Sequence, residues 1–308
     1  MRVLVTGGTG LLGTKVVELA QRRGLETFSA ARRPPAPEAP PAPFMPLDLT
    51  NRASVQAAFE RVRPNLVIHT AAMADVDACE REPELAWAVN AEGTTYVAEA
   101  CRVHDARLVY VSTDYVFDGT AGPYREEDAT NPLNVYAETK LAGERAVAML
   151  PNAITARTAV LYGWAPGIRS NLVLWLLDRL ARGEPAPAAT DQAGSPTLAD
   201  NLAEMLIALA VGRQTGVYHV AGATMTDRYR FCRLAAEVFG YDPDLIRPIR
   251  SAEISRPARR PANVALVIDK LRRDVPEARP LAAREALEVL RGQLTGRLPR
   301  PRLPDGDR

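Results

Sequence analysis

The chain has 308 residues, of which 47% are hydrophobic, and its formal net charge is +1. That much apolar sequence supports a large core and excludes disorder as the default, and the near-neutral balance gives no electrostatic reason to expect nucleic acid or an anionic membrane. Three cysteines without a CxxC pair and three scattered histidines argue against a disulfide framework or a metal site.

Strand-like sequence begins at Arg2, so no signal peptide is expected. No apolar run approaches the ~20 residues of a membrane span. The expectation is a cytoplasmic protein.

Arg2–Thr6 reads as a first strand that enters a glycine loop, and Leu11–Gln21 has the apolar spacing of a helix. Leu25–Ala30 resembles a second strand. Residues 34–46 hold seven prolines and predict an irregular surface connection. Arg52–Arg61 reads as a helix, Leu66–Thr70 as a buried strand, Glu84–Cys101 as a helix and Leu108–Thr113 as a strand. Leu133–Met149 is a helix, Ala153–Val160 a strand. Ser170–Ala181 and Leu198–Val211 look helical, and Gly216–Ala221 returns to the sheet. Repeated β-α-β order predicts an α/β fold, a Rossmann doubly wound parallel sheet with right-handed crossovers. Residues 1–160 are expected to form the dinucleotide-binding domain, to which the chain returns around 190–222. Residues 161–308 supply a smaller C-terminal α/β substrate lobe, with a frayed tail from about 296.

The loop Thr6-Gly7-Gly8-Thr9-Gly10-Leu11-Leu12-Gly13 follows the first strand directly. Gly7, Gly10 and Gly13 allow a tight turn, a close approach of backbone to a pyrophosphate, and close helix–strand packing. The helix N-terminus behind them offers free N–H groups to phosphate. The second strand ends in Ala30-Ala31-Arg32-Arg33 without the acidic residue that an NAD-selective site carries, and Arg32 or Arg33 can pair with the 2′-phosphate of NADP. NADPH is therefore the expected cofactor, with NADH compatible. Asp48 and Leu49 are placed to close over the adenine, and Ala71 and Ala72 leave room at a strand end.

Tyr136 and Lys140 stand four residues apart, on one face of a helix. Among 38 Lys and Arg residues only Lys15, Lys140 and Lys270 are lysines, so a lysine at this spacing is informative. An ammonium beside a phenol is expected to favour the phenolate. Ser112-Thr113-Asp114-Tyr115 lies at a strand end, where open parallel sheets place their ligands. The expected chemistry is proton donation by Tyr136 to a carbonyl oxygen as hydride arrives from a nicotinamide.

Those motifs resemble the extended short-chain dehydrogenase/reductases, and within them the dTDP-4-dehydrorhamnose reductase family, which includes the related regulatory β subunit of methionine adenosyltransferase. The likeness is densest in Ser112–Gly119, Tyr124–Asp128, Pro132–Tyr136, Thr139–Glu144, Asp191–Thr197, and Arg260-Pro261 with Asn263. It implies a catalytic trio of Thr113, Tyr136 and Lys140. Leu11, Leu12 and Gly13 match the pyrophosphate loop, Asp48 and Leu49 the adenine side, and Ala71, Ala72 and Met73 the segment beside the cofactor. Thr113 and Asp114, with Tyr115 beside them, match contacts to a nucleotide-sugar substrate. Two positions depart from the pattern. Val160 stands where the rhamnose-pathway reductases carry a tryptophan, and the segment Met73–Val76 lacks their substrate threonine. Reduction of a 4-keto nucleotide sugar is the leading expectation. An NADP-binding regulatory subunit and a nucleotide-sugar epimerase are the alternatives, and a homodimer is compatible with all three.

Overall fold

The computed structural model describes residues 1–168 and 170–296. The expected tail beyond Gly296 lies outside the described residues. Seven parallel strands form the central sheet: β1 (Arg2–Thr6), β2 (Glu26–Ala31), β3 (Phe44–Pro46), β4 (Leu66–His69), β5 (Arg107–Thr113), β6 (Ile154–Thr158) and β7 (Gly216–His219). Their spatial order is β3-β2-β1-β4-β5-β6-β7. The order reverses between β1 and β4, and a crevice opens there at the carboxyl ends of the strands.

Both faces of the sheet are covered. Helices α1 (Leu11–Arg22) and α8 (Ala199–Val211) pack Val16, Val17, Leu202 and Leu206 against Val3, Val5 and Ile68 on one side. On the other, α2 (Arg52–Val62), α5 (Gly93–Val103) and α6 (Val135–Val147) contribute to a second core with Phe59, Val97 and Tyr110. Strands buried on both faces explain the near-continuous apolar runs of β1 and β4. The proline-rich segment is not wholly irregular: Phe44–Pro46 pairs with Ser29–Ala31 as a parallel edge strand. An edge tolerates Pro46 because its missing N–H is not needed by a further neighbour.

The stretch expected as one helix over 84–101 is three. A short α4 (Pro83–Ala86) runs into a π-helical segment, Trp87–Glu92, and then into α5. A small helix before it, α3 (Val76–Arg81), is absent from the sequence reading. The remaining elements build a third core from α7 (Leu172–Ala181), α9 (Arg228–Phe239) and α11 (Ala283–Leu294), with Leu176, Leu177, Phe231 and Leu287 fully buried. α10 (Asp269–Asp274) lies beside β7. A two-strand parallel pair, Ala186–Ala189 with Ile246–Ile249, belongs to this part of the molecule.

Candidate active site

The glycine loop turns at Gly7, whose φ is +71°. A side chain there would meet Ala71 Cα at 2.7 Å, and one at Gly13 would meet the Gly7 carbonyl oxygen at 2.0 Å. Backbone, not flexible side chain, sets both limits, so the loop admits only glycine at these points. α1 begins behind Gly10 with no side-chain cap, leaving the first-turn N–H groups directed to the crevice. A cleft of about 420 Å3 runs along this loop, lined by Gly7, Gly10, Arg32, Asp48, Leu49, Ala71, Ala72 and Met73. A glycine cradle, uncapped amides and an apolar slot suit the pyrophosphate and adenosine of a dinucleotide. Arg32 and Arg33 are both exposed, and Arg32 lines the cleft. Of the two arginines considered from sequence, Arg32 is the one that borders the cleft.

The cleft continues, through Gly7, Gly10, Thr70 and Ala72, into a cavity of about 570 Å3. Leu11, Leu12, Gly13, Val76, Thr113, Asp114, Tyr115, Tyr136, Lys140 and Val160 all line it. Asn134 caps α6 by accepting from Ala137 N at 2.9 Å, and its amide donates to the Arg259 carbonyl at 2.9 Å. That cap fixes the first turn of α6, which carries Tyr136. Lys140 follows one turn later.

The electrostatics differ from the sequence expectation. Burial raises the Tyr136 phenol well above its usual value, and hydrogen bonding with Thr113 only partly opposes this. Lys140 is 3% exposed, and its ammonium donates to the Val111 carbonyl at 2.7 Å. It also lies 4.1 Å from the centroid of the Tyr110 ring. The lysine is thus engaged by backbone and ring, and is not what governs the phenol here. Burial pushes Lys140 down to about 7, against the nearby Glu144 carboxylate. Ser112 is also committed elsewhere: its hydroxyl donates to Glu144 at 2.5 Å, and Glu144 holds Arg157 in a buried pair at 2.7 Å. Thr113 is left as the hydroxyl at this strand end beside Tyr136.

Sequence reasoning missed several groups. Asn90, inside the π-helical segment, accepts from Met73 N at 2.8 Å and donates to Met73 O and Thr139 Oγ1, each at 3.1 Å. It ties the cofactor-side loop to α6. A further cavity of about 600 Å3 shares Val76, Tyr115, Asn171 and Arg228 with the first. Trp175, Arg256 and Arg260 line its far end. Arg260 pairs with Asp77 at 3.0 Å. Arg228 stands at the start of α9, more than 90 residues from Tyr136, and no local spacing links them.

A Rossmann crevice joined to a Thr-Tyr-Lys cavity defines the extended short-chain dehydrogenase/reductases, a class of oxidoreductase enzymes. Residues 1–291 match the model of the RmlD substrate binding domain family, and the chain belongs to that family. It is 39% identical to the dTDP-4-dehydrorhamnose reductase of Streptomyces griseus, with 97% of this chain and 96% of that protein covered. It is 37% identical to the dTDP-4-keto-6-deoxy-D-glucose reductase of Streptomyces niveus, with 88% and 90% covered. The dTDP-4-dehydrorhamnose reductase of Bacillus anthracis, solved in complex with NADP, superimposes with a TM-score of 0.85 at 29% identity, covering 95% of this chain and 99% of that one. Among the described residues no helix is long and apolar enough to cross a membrane.

Proposed function

We propose that the protein reduces the keto group of a dTDP-linked 4-keto-6-deoxysugar with NADPH, with dTDP-4-dehydrorhamnose as the substrate best matched by its relatives. The observation that carries the reading is the convergence of Thr113, Tyr136 and Lys140 where the dinucleotide cleft opens into the second cavity. The first-turn amides of α1 bind the pyrophosphate, and Arg32 pairs with the 2′-phosphate. NADPH, when bound, supplies the hydride. Thr113 orients the carbonyl oxygen by hydrogen bonding, and Tyr136 gives that oxygen its proton. Lys140 holds the nicotinamide-side ribose with its ammonium.

The far cavity suits the nucleotide end. Arg228 and Arg256 offer planar donors to a diphosphate, and Trp175 offers an indole face to a base. Val160 forms part of the wall at the sugar end. A nucleotide-sugar substrate and NADPH both fit a cytoplasmic setting.

Tyr136→Phe is expected to lower the rate of NADPH oxidation with dTDP-4-dehydrorhamnose by about a hundredfold or more. NADPH should still bind, as read by nucleotide fluorescence. Full turnover in that variant would remove Tyr136 from the mechanism.

A further inference from the structure

Arg260-Pro261 and Asn263 form one block of the family resemblance, and the hydride and proton transfers give them no task. Arg260 lines the far cavity, but its guanidinium is already engaged. Nη1 donates to Asp77 Oδ1 and Nη2 meets Asp77 Oδ2, each at 3.0 Å. Asp77 Oδ1 also accepts from Ala258 N at 3.2 Å, and Arg260 Nη1 reaches back to the Ala258 carbonyl at 3.0 Å. Asn134, the cap of α6, holds the neighbouring Arg259 carbonyl, and the Asn263 amide donates to Gly122 O at 3.1 Å. Residues 258–263 are therefore fastened to α3, to the start of α6 and to the loop at Gly122. Arg256 stands just before this fastened stretch and lines the same cavity.

Asp77 follows Val76, which borders both the catalytic cavity and the far one. Burial raises the Asp77 carboxyl, but hydrogen bonds from Arg260 and Ala258 N, with the charges of Arg260 and Arg256, outweigh it and hold the group below its usual value. It is a carboxylate at neutral pH. Burial lowers Arg256, and the like charges of Arg260 and Arg228 add to that against Tyr115 and Asp77, so these cations crowd one another. A carboxylate on a wall that faces a diphosphate repels the substrate by charge alone. Its presence there calls for a different service.

Resting on the nucleotide-sugar reading above, we propose that Asp77 is a positioning residue for the substrate diphosphate: it clamps Arg260 and Ala258 N, and so fixes the loop that presents Arg256 beside Arg228. Arg260 is then a brace and not a phosphate ligand. Two parallel N–H···O bonds between a planar fork and a carboxylate set direction as well as strength. A guanidinium already held in place loses less freedom when the diphosphate arrives, and that gain exceeds the repulsion from Asp77.

The sign of one substitution separates this brace from plain electrostatics. Asp77→Asn removes a negative charge from a cationic wall and releases Arg260. Charge alone would then lower KM for dTDP-4-dehydrorhamnose. Loss of the brace should raise it about tenfold, with a smaller change in kcat. Arg260→Lys keeps the charge but loses the fork, and should raise KM by a similar factor. The double variant should be no worse than either single one, because both break one contact. Calorimetric titration with dTDP reads the same loss without turnover, and NADPH affinity, read by fluorescence, should hold in all variants. If Asp77→Asn does not fold, Arg260→Lys decides by the same readings. A KM or dTDP dissociation constant that falls or stays level in the variants overturns the brace, and so does an equal loss of dTDP and NADPH affinity. A wild-type protein that binds dTDP but reduces no 4-keto sugar overturns the reductase reading alone, and the dTDP titrations still decide the brace. One that binds no dTDP overturns both.

Discussion

Lys140 illustrates how far a four-residue spacing reaches. It places Tyr136 and Lys140 on one face of α6, but the direction of the ammonium depends on β5, which is brought alongside only in the fold. The Val111 carbonyl and the Tyr110 ring occupy the charge, so the phenol is governed by burial instead. The consequence for stability has a definite sign. Lys140 falls from 10.5 to about 7 in the folded chain. Below pH 7 both states hold the proton, and the fold carries the full cost of a buried ammonium. Between about 7 and 10.5 the unfolded chain binds more protons, so stability rises with pH across that window. Removing the group removes the slope. The melting temperature of Lys140→Met minus that of the wild type should be larger at pH 6 than at pH 9, by several degrees. Equal differences at the two pH values would show that Lys140 does not titrate in this way.

Elements were legible where one local rule decided them. The apolar period of α1 and α8, the strand runs of β1, β4 and β5, and the glycine loop between β1 and α1 could all be read directly, because each depends on near neighbours in sequence. Three features could not. The π-helical turn at Trp87–Glu92 widens a helix so that Asn90 can reach Met73 and Thr139, a demand made by distant partners. The edge strand at Phe44–Pro46 is defined by its pairing with β2, and prolines mask it. Arg228 and Arg256 gather from α9 and a later loop, and in a chain with many arginines nothing marked them out; Arg260 belonged to a block of the family resemblance but carried no role there. The junction of β1 and α1 yields a sharper expectation. At Gly13 any side chain meets the backbone of Gly7 and Gly8 within 2.7 Å. Gly13→Ala should cost about 1–3 kcal/mol in urea melts, by overpacking, and weaken NADPH binding measured by fluorescence titration. An unchanged affinity would mean that the loop yields without losing its cradle.

The molecule as a whole separates two tasks on one sheet. The crevice at the β1–β4 reversal is the proposed dinucleotide side, and α7 and α9 bring Trp175 and Arg228 to the adjoining cavity. A net charge of +1 hides this local concentration of guanidinium groups. Arg256→Met should therefore raise KM for the nucleotide sugar about tenfold, the loss of one charge-assisted hydrogen bond, with a smaller change in kcat. The wild-type KM should climb with added salt more steeply than the variant's; parallel slopes would place Arg256 outside the binding path. One last feature concerns the three lysines. Lys15 is locked to Asp200 at 2.8 Å, Lys140 to Val111 O and Lys270 to Val217 O, each of the latter at 2.7 Å. A surface whose positive side chains are almost all arginine presents no freely exposed side-chain amine. Apart from the α-amine of the exposed Met1, acylating and cross-linking reagents aimed at primary amines thus find their targets chiefly when the fold opens, and their rate of attachment to the lysines becomes a clock for local breathing around α1, α6 and β7.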